Sequence, residues 1–199
     1  MALLIAATLV AGTGCGGSDS DDTAAPGTSQ TTTASTDTTT ETGGIDPLEG
    51  ASTEPVSAPV KAQEIALLER VALARHEGYD RVVFQFRNVV PGYRVEYVDP
   101  PLKEDGSGNR VEVDGDAFVL IRMEQASGFD VATDEGVLVY EGPRRLEGSD
   151  AGTSVVRELV RIGDFEAVLS WVVGLSDRVD FRVTTLDGPP RLVVDFRNH

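Results

Sequence analysis

The chain of 199 residues carries 33 acidic and 17 basic side chains, and its formal net charge of −16 disfavours nucleic acid and anionic lipid headgroups as partners. A single cysteine excludes an intramolecular disulfide and a cysteine-based zinc site, and two histidines make a histidine-rich metal site equally poor. No stretch of about 18 apolar residues exists, so the sequence predicts no membrane-spanning helix.

The N-terminal segment begins with an apolar run over residues 2–11 that only one Thr interrupts. Its length is typical of a signal-peptide core and too short for a membrane span. Small residues and then Cys15 follow, an order that resembles the processing site of bacterial lipoproteins. There the cysteine receives acyl chains such as palmitate and becomes the mature N-terminus. Gly12 departs from that pattern, which usually has Leu, and no Lys or Arg precedes Lys61. We expect a lipoprotein signal peptide over residues 1–15; the alternative is a plain secretory peptide in which Cys15 has no special role.

Residues 16–63 are rich in Ser, Thr, Asp, Gly, Ala and Pro and contain almost no large apolar side chain. Such a segment cannot bury enough surface to offset its ordering entropy, so we predict a disordered linker. About 48 flexible residues reach roughly 35–40 Å by the random-coil rule. That reach would hold a domain away from the membrane. The Thr-rich part is also typical of O-glycosylated segments.

From residue 64 to residue 199, alternation and turn signals predict about nine or ten short strands and no amphipathic helix. Two hairpins are expected, one joining residues 110–113 to 117–124 and one turning at Gly163 and Asp164. Segment 126–152 gives the weakest signal. This pattern predicts a β-sandwich or a partly open barrel. The predicted strands are Leu68–Arg75, Arg81–Arg87, Tyr93–Val98, Arg110–Val113, Ala117–Glu124, Val137–Tyr140, Ser154–Ile162, Phe165–Val173, Arg178–Leu186 and Arg191–Arg197.

An internal repeat links the second predicted strand to the last one. Residues 78–88 and 188–198 align without a gap, with Gly, Arg, Val, Phe, Arg and Asn identical at equivalent positions. Both copies alternate in the same phase, which is typical of half-buried strands. We therefore expect an all-β domain with two related halves. The same parity places these aromatic side chains in the core: Phe84, Phe86, Trp171, Phe181 and Phe196.

Several segments together resemble the AMIN-like domain of bacterial envelope lipoproteins. They are residues 76–84, 91–98, 164–166, 181–183 and 189–196, and the resemblance covers roughly residues 66–199. It implies a compact β-sandwich of two related sheets that localises its host in the cell envelope by holding cell-wall glycan. AMIN domains usually accompany an amidase or a secretin domain, and neither follows here. A role in wall cleavage is therefore not expected.

The sequence offers no convincing catalytic or metal-binding set. His76 and His199 are too few for an amidase zinc site. Ser154 and Ser170 lack a nucleophile elbow, and the loop from Asp105 lacks the spacing of a calcium loop. We expect a protein that is not an enzyme and needs no cofactor or metal.

Binding is the chemistry that the residues favour. Glycan recognition needs aromatic faces and groups that bind hydroxyls, and muramyl carboxylates favour the arginine fork. The alternative is ordinary sheet-surface pairing of Arg with Asp or Glu. We expect either a lipid-anchored protein facing outside the cytoplasm that binds cell-wall polymer, or a scaffold for an envelope protein. The ligand candidates are a polar strip, Arg81, Gln85, Arg87, Arg191, Asp195 and Arg197, and a neighbouring platform, Tyr93, Arg94 and Tyr97.

Overall fold

The computed structural model of the chain describes residues 46, 48–132 and 136–198. The predicted signal peptide, Cys15 and the linker as far as residue 45 lie outside the described residues. Within the described ranges, no helical segment has the length and hydropathy needed to cross a membrane.

Short β-strands make up nearly all of the regular structure in the described ranges, with one helix of four residues. In chain order the elements are β1 (Val56–Ala58), β2 (Ala66–His76), β3 (Tyr79–Phe86), β4 (Gly92–Val98), β5 (Ala117–Glu124), β6 (Ala126–Ser127), β7 (Phe129–Asp130), β8 (Val137–Leu138), β9 (Arg145–Glu147), α1 (Gly148–Ala151), β10 (Val156–Phe165), β11 (Val168–Leu175), β12 (Phe181–Leu186) and β13 (Arg191–Arg197).

Two main sheets form the sandwich. The six-stranded sheet has the order β1-β4-β5-β11-β10-β9, and the five-stranded sheet has the order β12-β13-β3-β2-β6. Their strand pairs are antiparallel except for β2 with β6. A separate two-stranded hairpin, β7-β8, lies in the segment with the weakest sequence signal. The prediction of an all-β sandwich is confirmed.

The core lies between the inner faces of the two sheets, where alternate residues of each strand are buried. Phe84 of the five-stranded sheet packs edge-on against Trp171 of the six-stranded sheet, with ring centroids 5.8 Å apart. Phe181 and Phe196 pair across neighbouring strands at 6.2 Å. The core positions predicted from parity are confirmed, since each of these side chains and Phe86 is at most 1% exposed.

The two copies of the internal repeat are direct neighbours in the five-stranded sheet. Strands β3 and β13 pair antiparallel, and Val83 lies opposite its own repeat equivalent, Val193. A local two-fold axis therefore passes through this pair and exchanges the two copies. The relation expected between two halves is thus seen for these two strands, which lie side by side in one sheet rather than one in each sheet.

A buried carboxylate joins the two sheets. Asp80 of β3 is fully buried, and its Oδ2 accepts the backbone N–H groups of residues 154, 155 and 156 at 2.7, 2.6 and 3.1 Å. Its Oδ1 accepts the Asn198 amide at 2.8 Å. A charged acceptor with four donors is well satisfied without water, so it can lie in the core. This contact fixes β3 to the start of β10.

The outer face of the six-stranded sheet carries a second, smaller apolar cluster. The loop between β4 and β5, to which Leu102 belongs, covers this cluster. Its buried members are Leu102, Val160, Ile162 and Val172. Val111 and Val113 pack on this cluster, and Arg110 makes only an isolated bridge to Lys103. The predicted hairpin of 110–113 with 117–124 is therefore wrong. Alternating apolar residues here cover an outer face, whereas β5 pairs with β4 and β11.

The folded domain begins earlier than predicted. Residues 46–63 were expected to belong to the linker, but β1 pairs with β4 and Leu48 is fully buried. Ser52 also bridges Phe181 in β12. The linker prediction is thus wrong for this last part. The prediction relied on the composition of the whole segment, in which two apolar residues count for little. Leu48 is nevertheless fully buried, and Val56 packs against the core of the sandwich.

The turn between β10 and β11 lies further along the chain than predicted. It is formed by Glu166 and Ala167, whose φ angles are 51° and 58°. Neither residue type signals a positive φ, whereas Gly163, where the turn was expected, lies within β10. A Cβ on Gly163 would collide with the Asp105 carboxylate, so this glycine permits a close approach of a loop. Phe165, the last residue of β10, is 61% exposed.

We predict that Asp80→Ala lowers the free energy of unfolding by about 3 kcal/mol or more, because it leaves backbone N–H groups buried without an acceptor. Urea denaturation followed by tryptophan fluorescence measures the change through Trp171. The exposed Asp177 provides the matched control, since Asp177→Ala should change stability by less than about 0.5 kcal/mol. Equal stability of the two variants would show that Asp80 does not hold the sheets together.

Candidate ligand-binding surface

The strip predicted on the two repeat strands does come together. Because β3 and β13 are neighbours, Arg81 lies opposite Asp195 and Gln85 lies opposite Arg191. All point away from the core, since Val82, Phe84 and Phe86 fill the inward positions between them. Strands β2 and β12 extend this outer face on either side. We call it the arginine face, after the arginines that it carries: Arg70, Arg81, Arg87, Arg182, Arg191 and Arg197.

Asp195 lies at the centre of an ion-pair cluster on this face. Arg81 binds its carboxylate in bidentate fashion, with Nε 2.6 Å from Oδ1 and Nη2 3.0 Å from Oδ2. Arg182 of β12 approaches Oδ2 from the other side at 3.3 Å. The Asp195 side chain is only 1% exposed beneath these guanidinium groups. The hydrogen bond to Asp195 raises the pKa of Arg81 above its ordinary value. Asp195 is therefore a structural carboxylate that an external ligand cannot reach.

The two ends of the face are also neutralised, but in more exposed surroundings. Arg197 binds the Asp46 carboxylate at 3.1 and 2.9 Å, and this hydrogen-bonded pair lowers the pKa of Asp46. Arg87 binds Glu69 at 3.0 Å, with half of its side chain exposed. Exposed ion pairs of this kind contribute little to stability, so both arginines can exchange partners.

One row of the face differs from the others. Gln85 lies between Arg191 on β13 and Arg70 on β2. The Arg191 Nε donates to the Pro189 carbonyl at 3.3 Å. Within residues 46, 48–132 and 136–198, no carboxylate forms an ion pair with Arg70 or Arg191. These two guanidinium groups therefore remain able to bind an anion.

An aromatic pair that the sequence did not single out borders the face. His76 and Tyr79 are cross-strand partners, and their rings stack at 4.7 Å. The Arg81 guanidinium lies over the Tyr79 ring at 5.0 Å. Both residues lie between the predicted strands Leu68–Arg75 and Arg81–Arg87, so the sequence did not pair them. Only the β2–β3 register shows that they occupy one edge of the arginine face.

The predicted platform of Tyr93, Arg94 and Tyr97 does not adjoin this strip. All three belong to β4 in the six-stranded sheet. Arg94 points outward there and binds Glu96 at 2.7 and 2.6 Å. The prediction is wrong because residue spacing along one strand does not reveal which sheet that strand joins.

Tyr93 and Tyr97 point toward the interior of the sandwich instead. The Tyr97 hydroxyl donates to the Val179 carbonyl at 2.6 Å and accepts the Val179 N–H at 2.9 Å. Burial raises the pKa of Tyr97, and the same cause raises that of Tyr93. Tyr97 therefore anchors the segment before β12, whereas Tyr93 lines a cavity of about 380 Å³ with Asn88 and Pro190.

A second concave site lies at one end of the six-stranded sheet. This cavity of about 500 Å³ has Phe129 and Phe165 on its rim and both Arg144 and Arg161 in its wall. The two phenylalanine side chains are 45% and 61% exposed. An Arg161 nitrogen and an Asp105 oxygen are buried here without a hydrogen-bond partner in the described part of the chain. Its lining residues come from the β4–β5 loop, from β7, from the segment before β9 and from β10, so no sequence signal could have joined them.

The described residues show no metal centre. In residues 46, 48–132 and 136–198 no group of three His, Cys, Asp or Glu side chains could hold a metal ion. His76 is exposed and stacked on Tyr79, and Ser170 is buried in β11 next to Trp171.

The described residues form an all-β sandwich with an arginine-rich outer face on one of its two main sheets. A family model of the AMIN-like domain matches residues 66–198, and the chain belongs to this family. AMIN-like domains are generally non-catalytic binding domains, and the family indicates association with the cell wall. No curated protein and no solved structure matches the chain.

The two-fold-related arginines should respond differently to the same substitution. We predict that Arg81→Gln lowers the free energy of unfolding by about 3 kcal/mol, because it leaves the buried Asp195 carboxylate with fewer donors. Arg191→Gln serves as the matched control and should change stability by less than about 0.5 kcal/mol. Chemical denaturation of both variants measures the difference. A small loss for Arg81→Gln would contradict the structural role assigned to the Asp195 cluster.

Proposed function

We propose that this protein is a lipid-anchored, non-catalytic component of the bacterial cell envelope whose AMIN-like domain binds peptidoglycan or another cell-wall polymer through the arginine face. The observation that carries the proposal is the concentration of arginines on one sheet face of a chain whose net charge is −16. Guanidinium groups fit the carboxylates of wall peptides in bidentate geometry. An anionic polymer is repelled by the rest of the surface, so this face also sets the orientation of binding.

The membrane attachment in this proposal rests on the N-terminal sequence. The apolar run over residues 2–11 and the sole cysteine after it resemble a lipoprotein processing site. Acylation of Cys15 by more than one chain would give stable anchoring, which a single chain does not. The segment between Cys15 and the sandwich would then let the domain reach the polymer layer outside the cytoplasm.

A second candidate function is supported by a different surface. Large apolar side chains are exposed on the β7-β8 hairpin and beside it, and exposed apolar groups of this size are typical of protein interfaces. Phe129 and Leu138 are cross-strand partners in that hairpin, and Phe165 shares a cavity with Phe129. The exposed apolar side chains on and beside this hairpin favour a role as a scaffold or accessory subunit that binds an envelope protein. The exposed residues are Phe129, Val131, Val137, Leu138 and Phe165.

Cosedimentation with purified peptidoglycan tests the favoured function. The protein should sediment with the polymer at low and moderate salt, and the double variant Arg87→Gln, Arg191→Gln should lose about tenfold or more in affinity, since each charge-assisted contact contributes about 1.5–3 kcal/mol. The control is Arg110→Gln, Arg157→Gln, which removes the same charge from exposed positions elsewhere. No sedimentation of the natural sequence at either salt concentration would exclude wall binding. A single dominant protein adduct after crosslinking in cells, lost in Phe165→Ser, would then favour the scaffold function.

Metabolic labelling tests the anchor. The natural sequence should incorporate labelled palmitate and fractionate with membranes, because the thiol of Cys15 is the proposed acylation site. In Cys15→Ala the label should disappear and the protein should move to the soluble extracytoplasmic fraction. Cys15 is the only cysteine, so labelling that persists in this variant would overturn the assignment.

A further inference from the structure

The local two-fold axis through Val83 and Val193 makes two rows of the arginine face equivalent. One row runs across three strands as Arg81, Asp195 and Arg182. The rotation carries Arg81 to Arg191 and Asp195 to Gln85, because these residues are equivalent in the repeat. It carries β12 to β2, where the residue opposite Gln85 is Arg70. We call the first the closed row and the second, Arg191–Gln85–Arg70, the open row.

The closed row shows what this geometry binds. A carboxylate lies between two guanidinium groups from the neighbouring strands, at 2.6 and 3.0 Å from one and 3.3 Å from the other. The row is complete within the protein, since Asp195 supplies the anion from its own middle position.

The open row has the same cations in equivalent positions with a neutral residue between them. Neighbouring strands lie about 4.8 Å apart, so the Cα atoms of Arg70 and Arg191 are separated by roughly 10 Å. That separation lets two long side chains converge on one small anion. Arg70 is exposed, and Arg191 and Gln85 are partly exposed, so the row is accessible from solvent. The Gln85 side-chain amide can donate a hydrogen bond, which the Asp195 carboxylate cannot.

From this comparison we infer that the open row is the subsite for a carboxylate of the bound polymer. The ligand carboxylate takes the place that the Asp195 carboxylate has in the closed row, held by Arg70 and Arg191 and by the amide of Gln85. Binding also relieves the repulsion between two guanidinium groups that have no counter-ion. The inference rests on the proposed wall binding and specifies its chemistry: a carboxylate, such as that of a wall peptide.

The substitution Gln85→Asp tests the inference, because it gives the open row the same middle carboxylate that Asp195 provides in the closed row. An internal carboxylate between Arg70 and Arg191 should compete with the ligand and reduce peptidoglycan binding about tenfold or more. The melting temperature should stay the same or rise, which separates this loss from unfolding. Gln85→Asn is the matched reference: it shortens the side chain equally and keeps the amide without adding charge, so it should bind peptidoglycan at least about threefold more tightly than Gln85→Asp.

A second variant and two treated polymers identify the anion. Arg191→Gln should also reduce binding about tenfold, whereas Arg110→Gln, at a side chain that is 71% exposed on another surface, should not. The protein should no longer bind peptidoglycan whose carboxyl groups have been converted to amides. The protein should still bind peptidoglycan from which the phosphate-containing polymers have been removed.

The outcomes distinguish this inference from the proposed function. Equal binding of Gln85→Asp and Gln85→Asn, with the natural sequence still bound to peptidoglycan, would overturn the open row as a subsite and leave wall binding intact. Retention on amidated wall with loss on phosphate-stripped wall would overturn the carboxylate in favour of phosphate. Failure of the natural sequence to bind untreated peptidoglycan would overturn the wall-binding function itself, and the inference with it.

Discussion

The Asp80 carboxylate is the contact on which the arrangement of the two sheets depends. It is fully buried near the start of β3, and its four donors come from the start of β10 and from Asn198, which follows β13. Strand β3 is thereby fixed both to the opposite sheet and to its neighbour in its own sheet. Because an uncompensated charge at this depth is costly, other placements of β3 are strongly disfavoured. The arginine face is built on β3 and β13, so its geometry depends on this buried carboxylate.

The repeat shows how one structural unit can serve two purposes. In the copy that ends the domain, position 195 carries an aspartate that closes a cluster of guanidinium groups from within. In the copy near its beginning, the equivalent position carries Gln85, and the neighbouring arginines form no ion pair with a carboxylate among the described residues. A second equivalent pair also differs between the copies: Asp80 joins the sheets, whereas the residue at the equivalent position of the other copy is Pro190. One copy of each pair thus supports the fold, and in our proposal the open row supplies recognition on a surface that an acidic protein otherwise makes unfavourable to anions.

Much of the fold could be predicted from the sequence because strand parity is a local property. A period of two assigns Phe84, Phe86, Trp171 and Phe196 to the core whichever strands they meet. The same parity assigned Arg81 and Asp195 to one outer face, and the repeat marked two strands that pair with each other. The family resemblance rested on the same strands and agrees with the family match. Two predictions from local pattern failed. The alternation at Val111 and Val113 indicated a hairpin strand, but these residues cover a sheet, and Leu48 is fully buried within a segment whose composition predicted a linker.

The amino-acid sequence by itself thus determined an all-β domain, its inward residues and the chemistry available on its outward positions. Only the tertiary structure decided which strands are neighbours, because register and sheet order depend on contacts between residues more than a hundred positions apart. That pairing brought Arg70 beside Gln85 and Arg191, and it assigned Tyr97 to a structural hydrogen bond away from the strip. A sequence specifies which face a side chain occupies, whereas a binding site requires several strands to present their faces together.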